Sequence, residues 1–427
     1  MELDLTPGQR YRAALAALLG NALEWYDFAV YGYVASDLGK AFFPGDEPGL
    51  QTLGAFGVFA VGYLMRPVGS IVLGPLGDLL GRRLMLSLSI VIMGVSSLLI
   101  GLLPTHSQIG VAAGICLVLL RMLQGFSVGA EFTGSITYAT EAAARGRAGL
   151  LSSLAVAGGL LGFSLGSMTV AVIAAVVGEA AMGNWGWRLP FLLGALVALL
   201  GLWMRRGMPE TLARDDDRPP IRSPRQLGGA MVWRLDQVVR QWRLVLLVIA
   251  LVTFANMIFY LAFVYLVDFT GQSSGSSAAA NSIATVIQTI GLLIAIVGGH
   301  LADRYGMVPV NRWGNLGLIL LAPLALSIGL QGQLTSLAIA QGLLVVPVMV
   351  TMGAQGVLGV VLVPQGQRCA VFSIAYSLAM AMFAGTAPLM ATWLQEIQAS
   401  WITPLYALPF GAAALIAVHR SRHAEVR

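Results

Sequence analysis

The sequence predicts an all-α membrane protein with twelve transmembrane helices arranged as two six-helix halves. Three observations carry this expectation. Hydrophobic residues make up 57 % of the 427-residue chain and charged residues 11 %, with a mean hydropathy of +0.80, a balance outside the range of water-soluble domains. The apolar residues fall into twelve runs, each near the roughly 20 residues that cross a bilayer. The basic residues follow the membrane: with the runs alternating in direction, 21 of the 25 Lys and Arg fall on one side, and positive charge collects in the cytoplasm. Both termini are therefore expected there, in a multi-pass protein of a bacterial cytoplasmic (inner) membrane.

In chain order the runs cover residues 13–36, 51–76, 84–103, 109–133, 150–175, 187–205, 243–269, 279–301, 313–330, 336–362, 369–393 and 401–419. The first is too long for a cleavable signal and lacks a small-residue cleavage site. Residues 1–205 form the expected N-terminal six-helix bundle, 206–242 a cytoplasmic linker, and 243–427 the C-terminal bundle. The linker contains MPETLARDDDRPPIRSPRQ, the only long polar stretch. An internal repeat supports the division. Gly77-Asp78 and Gly81-Arg82-Arg83 follow the second run, and Ala302-Asp303-Arg304-Tyr305-Gly306 follows the eighth, 225 residues later. Arg145 and Arg368 follow the fourth and tenth runs at an offset of 223. A parallel duplication of this kind suits alternating access, in which one half rocks against the other.

Small residues mark helix contacts. Gly158, Gly162 and Gly166 make one stripe on the fifth run, where the absent side chains let a neighbouring backbone approach. Cys116 and Cys369 both fall in or beside runs, so neither a disulfide nor a thiolate metal site is expected.

The charges inside the membrane carry the chemistry. Glu24 and Asp27 lie in GNALEWYDFAVYGYV of the first run, where an ionised side chain costs about 2.5–3.5 kcal/mol or more. Arg66 in the second run and Arg121 in the fourth are the cations within reach of the midplane. Arg121, Gln124 and Glu131 share a helical face. Three acids against two arginines leave one acid free to exchange a proton. Burial favours the neutral carboxyl and an adjacent Arg the ionised one, so a small rearrangement tips such a group. Asp27 coupled to Arg121 is the first candidate for proton coupling, with Glu24 and Glu131 beside it; a permanent Asp27–Arg121 ion pair is the structural alternative. Arg66 and Arg121 are the candidates for a substrate carboxylate, with Gln124 and Tyr31 near them. The second half offers neutral groups instead: Asn256, Tyr260, Gln355 and Tyr376.

Absences narrow the energy source. The one lysine, Lys40, lies on the outer side, and no Gly-x4-Gly-Lys-Ser/Thr phosphate loop occurs. No His-Glu-x-x-His or Cys-x-x-Cys pattern occurs either, so enzymatic chemistry is not indicated. No cofactor, metal or nucleic-acid partner is expected, and a monomer in the lipid bilayer is the simplest assembly.

Gly20-Asn21-Ala22-Leu23-Glu24-Trp25-Tyr26-Asp27-Phe28 resembles the first-helix signature of the metabolite:proton symporters of the major facilitator superfamily. Arg66-Pro67 with Gly69, the Gly77-to-Arg83 loop, Arg121 through Glu131, Glu141, Gly186-Trp187-Arg188-Leu189-Pro190-Phe191 and Gly385-Thr386-Ala387-Pro388 agree with it, from residue 20 to about 393. The resemblance implies proton-coupled uptake of a small organic acid or zwitterion, a class including dicarboxylates, citrate, shikimate, proline and betaines. It also implies a cytoplasmic gate of Asp78, Arg82 and Arg83, with Glu141 and Arg145 as partners and Asp303 and Arg304 as the second-half counterpart. The chain departs from the pattern at Leu79, at Gly306-Met307-Val308 and at Pro364-Gln365-Gly366-Gln367-Arg368, each time losing basic charge. A proton-antiport exporter is the alternative that the thinner gate leaves open.

Overall fold

The structure is a computed structural model that describes residues 6–43, 48–206, 210 and 223–424. Most of the polar linker sequence and Arg427 of the basic tail lie outside the described residues. The twelve long helices are α1 (Pro7–Tyr33), α2 (Pro48–Leu80), α3 (Arg82–Leu102), α4 (Val111–Ala142), α5 (Ala148–Val177), α6 (Arg188–Arg205), α7 (Trp242–Ser274), α8 (Ser277–Tyr305), α9 (Met307–Gly329), α10 (Leu334–Val361), α11 (Gln365–Glu396) and α12 (Ser400–Arg420). Ten of them are long and apolar enough to cross a membrane among the described residues, and α1 and α2, of 27 and 33 residues, complete the set.

Local chemistry explains where the helices begin. Thr6 and Gln9 form a reciprocal capping box with Pro7 at the first position, which starts α1 earlier than its apolar run. The same device, Ser223 with Gln226 and Pro224, starts a helix over Pro224–Arg240 within the expected linker. The face of the bundle where α1 begins and this helix lies is called the linker face below. Outward-facing Leu84, Leu88, Val91, Val95, Leu98 and Leu102 on α3 are exposed at helical spacing, a stripe suited to lipid tails.

Close helix crossings place the site. A Cβ at Gly158 or Gly162 would collide with the carbonyls of Leu18 or Ala22, so the glycine stripe of α5 is where α1 packs. A Cβ at Gly125 or Gly129 of α4 would collide with the carbonyls of Gly62 or Arg66 on α2. This tight α2–α4 crossing holds Arg66 in the interior. The turns α2–α3 and α8–α9 pivot on Gly81 (φ 113°) and Gly306 (φ 95°), a backbone conformation open to glycine and strained for other residues. Two π-turns, Leu261–Tyr265 in α7 and Met380–Ala384 in α11, interrupt helices of the second half; such turns often sit at functional sites.

Candidate functional site

A cavity opens between the halves and is lined by residues of both. The first half supplies Trp25, Arg66, Phe132, Gly159 and Phe163, and the second half Asn256, Phe259, Tyr260, Met352, Tyr376 and Met380. The walls are mostly aromatic. Phe132 and Tyr376 meet across the halves with ring centroids 5.1 Å apart, and Trp25 stands 5.2 Å from Phe163. The Tyr376 hydroxyl donates to Asn256 Oδ1 at 3.3 Å. Arg66 is the one cation among the described lining residues.

Arg66 is 5 % exposed. Its guanidinium stacks against Tyr63 (4.3 Å), Phe28 (4.6 Å) and Trp25 (5.3 Å). The rings hold the charge by cation–π attraction but accept no strong hydrogen bond. Nε and Nη2 are buried without an acceptor. Glu24 is the nearest carboxylate, with Oε1 4.0 Å from Arg66 Nη2. Glu24 is 2 % exposed and neither oxygen has a hydrogen-bond donor. A long ion pair with open valences on both sides is poorly compensated for its burial, and both partners have room for another ligand: an anion on Arg66, a proton on Glu24.

Asp27 sits in a tighter network. Ser97 Oγ donates to Asp27 Oδ2, and Gln124 Nε2 donates to the same oxygen at 3.4 Å and to Ser97 Oγ at 2.8 Å. Gln124 Oε1 in turn accepts from Arg121 Nη1 at 2.7 Å. Gln124 thus bridges Asp27 and Arg121, whose guanidinium lies over Tyr31 (4.1 Å) and Phe28 (4.8 Å). The Phe28 ring thus contacts both Arg66 and Arg121.

Glu131 has a partner that sequence position hid. Arg205, in the last turn of α6, belongs by position to the basic flank of the linker. The structure buries it at 2 % exposure, where it donates to Glu131 and to the Leu86 carbonyl. Among the described residues, the set formed with Glu24, Asp27 and Glu131 therefore includes three arginines, Arg66, Arg121 and Arg205, and the expectation of two is corrected. The available signal was Gly20, whose missing side chain leaves the space that Arg205 Nη2 occupies.

Of the residues expected to contact substrate, Arg66, Asn256, Tyr260 and Tyr376 line the cavity. Arg121 and Gln124 of α4 lie in the Asp27 network, Tyr31 of α1 lies against Arg121, and Gln355 is buried within α10. Trp25, Phe132 and Phe163 were not singled out, because an aromatic residue in a membrane helix has no sequence mark separating cavity from core.

The halves grip one another at the linker face. Asp78, at the end of α2, accepts from the backbone N–H of Cys369 (3.2 Å) and Ala370 (2.8 Å), where the α-helical part of α11 begins at Arg368. Asp303, at the end of α8, accepts from Gly149 and Leu150 in the first turn of α5, both at 2.7 Å. Each half thus places a carboxylate on the positive end of a helix in the other. Arg82 ties Asp78 (2.7 Å) to Glu141 (3.2 Å), and Arg368 reaches Glu141 at 3.5 Å. Glu210 accepts from the backbone of Arg82 and Arg83, and Arg83 Nη2 donates to the Arg206 carbonyl. Arg145 is exposed in the α4–α5 turn, and Arg304 is exposed with its guanidinium over Tyr305. Asp78→Asn removes a charge-assisted hydrogen bond of about 1.5–3 kcal/mol. In a Cys116→Ser background, maleimide labelling of buried Cys369 is expected to accelerate severalfold; an unchanged rate would show that this contact does not hold the face closed.

Twelve helices in two halves, a cavity at their interface and charges kept inside the membrane define a transporter, not an enzyme. The chain belongs to the Major Facilitator Superfamily, whose family model matches residues 17–370. It is 34 % identical over 412 residues to the glycine betaine/proline/ectoine/pipecolic acid transporter OusA of Dickeya dadantii, covering 94 % of this chain and 81 % of that one. The proline/betaine transporter of Escherichia coli K12 is 34 % identical over 407 residues, with the same coverage, and the ectoine/proline transporter ProP of Corynebacterium glutamicum 32 % over 429, covering 98 % and 85 %. In fold, the chain matches the proton:xylose symporter XylE bound to 6-bromo-6-deoxy-D-glucose with a TM-score of 0.75 at 18 % identity, over 97 % of this chain and 95 % of that one. The partially occluded, inward-open form of XylE from E. coli gives 0.62 at 18 % identity, over 96 % and 97 %.

Proposed function

We propose that the protein takes up a small zwitterion, a carboxylate joined to a cationic nitrogen, together with one proton. The observation that carries this reading is the shared position of Arg66. It lines the aromatic cavity with two donor groups open, and it is the cation nearest to the undonated carboxylate of Glu24. A substrate carboxylate on Arg66 takes the charge that balances Glu24, and a proton on Glu24 restores neutrality. Substrate and proton then bind together. The cationic end of the substrate lies over the faces of Trp25, Phe132 and Tyr376, where ring quadrupoles attract a quaternary or secondary ammonium. The relatives named for betaine and proline transport support this class.

The linker face is the cytoplasmic one on this reading, with both termini inside, since it carries the basic residues. Residues 1–205 and 243–427 move as the two units and 206–242 joins them. Release of Asp78 from α11 and of Asp303 from α5 opens the path to the cytoplasm.

Titration calorimetry of the purified protein in detergent tests the substrate class. Glycine betaine or proline is expected to bind, while choline, which lacks the carboxylate, and propionate, which lacks the cation, bind at least tenfold more weakly. Equal binding of choline and betaine would remove Arg66 from recognition, and preference for a dicarboxylate would remove the aromatic site.

A further inference from the structure

We propose that the proton, once on Glu24, leaves through a chamber enclosed within the first six helices, passing to Glu131 and out past Arg205, a route separate from that of the substrate. This rests on the symport reading above. The chamber is a small cavity lined by Gly20, Glu24, Asp27, Ser89, Glu131 and Gly194, among others, and it shares none of its described lining residues with the central cavity. Helix α1 is the partition. It turns Trp25 toward the substrate and the Gly20, Glu24, Asp27 stripe, spaced four and three residues apart, toward the chamber.

The chamber has a source, a receiver and an exit. Glu24 is the source: both of its oxygens are buried there without a donor, and a buried acceptor left unpaired signals a partner still to bind. Glu131, from α4, is the receiver on the same cavity. Arg205, anchored in the last turn of α6 at the linker face, is the exit group and pairs with Glu131. Its second contact, to the Leu86 carbonyl, keeps the guanidinium partly satisfied when Glu131 is neutral. The remaining charged groups around the chamber are Asp27, held by Ser97 and Gln124, Arg66 beyond Glu24, and Arg121 behind Gln124.

Missing side chains build the space. A Cβ on Gly20 would overlap Arg205 Nη2 and stand 3.0 Å from Glu131 Oε1, and a Cβ on Gly194 would press on Asp27 Oδ1. The transfer balances simply. Glu24 gives its proton to the Glu131 carboxylate, and the resulting Glu24 carboxylate returns to Arg66 as the substrate departs. Glu131 then releases the proton at the linker face and pairs again with Arg205. Arg205 is a positioning residue in this scheme, since it holds the receiver and carries no proton itself.

Proteoliposomes with a pH dye inside measure substrate-dependent proton influx, and labelled-substrate exchange is measured in the same preparation. Glu131→Gln and Gly20→Ala are each expected to lower the ratio of proton influx to exchange at least tenfold. Gly20→Ala removes no titratable group, so it also serves if Glu131→Gln fails to fold. A ratio within twofold of wild type in either folded variant overturns the route. No substrate-dependent influx in the wild-type protein overturns the symport reading itself, which is a separate outcome.

Discussion

Arg66→Gln is expected to raise the dissociation constant for a betaine-like substrate by about 10- to 100-fold, matching the roughly 1.5–3 kcal/mol of a hydrogen bond to a charged group. The reason is that Arg66 alone brings positive charge to the described cavity wall. Arg66→Lys should recover only part of the loss, because an ammonium on a flexible stem neither stacks between Tyr63, Phe28 and Trp25 nor offers a fork to a carboxylate. Calorimetry on the three proteins checks this. A glutamine variant that binds as tightly as wild type would place the substrate carboxylate elsewhere, with Arg121 the next group to examine.

Glu24→Gln is expected to abolish uphill accumulation. Carrying a neutral zwitterion with one proton moves one charge, worth about 2.3 kcal/mol per 100 mV, or an accumulation of about 50-fold at that potential. With a permanently neutral side chain at this position, binding to Arg66 no longer calls for a proton, and the internal concentration should level near the external one. Labelled-substrate uptake into proteoliposomes under a clamped potassium potential reads the plateau directly. A plateau that stays near 50-fold would transfer the coupling role to Asp27. The geometry ranks the two acids in this order because Asp27 is met by Ser97 and Gln124 while Glu24 has no donor.

Most of this site could be read before the fold, for a physical reason. A carboxylate or guanidinium inside an apolar run stands out because lipid excludes it, so Glu24, Asp27, Arg66, Arg121 and Glu131 announced themselves. The repeat marked a pair of equivalent positions: Asp78 and Asp303, 225 residues apart, each accept from backbone N–H groups of a helix in the opposite half. What position along the chain concealed was pairing. Arg205 sits where a span ends, among residues that ordinarily mark the cytoplasmic boundary, and only the α1–α4–α6 packing around Gly20 shows that it turns inward. Likewise Arg121 shares a helical face with Gln124, but the role of Gln124 as the bridge to Asp27 depends on how α1, α3 and α4 meet. The aromatic lining was hidden for the opposite reason: Trp25, Phe132 and Phe163 look like any other apolar residue of a membrane helix.

The central claim, that one guanidinium couples substrate to proton, is tested most directly by adding glycine betaine outside proteoliposomes that hold a pH dye. Internal acidification at about one proton per substrate, present in wild type and absent in Arg66→Gln, is the predicted result for the symport ratio argued from Glu24 and Arg66. Betaine entry with no pH change, or with internal alkalinisation, would contradict it.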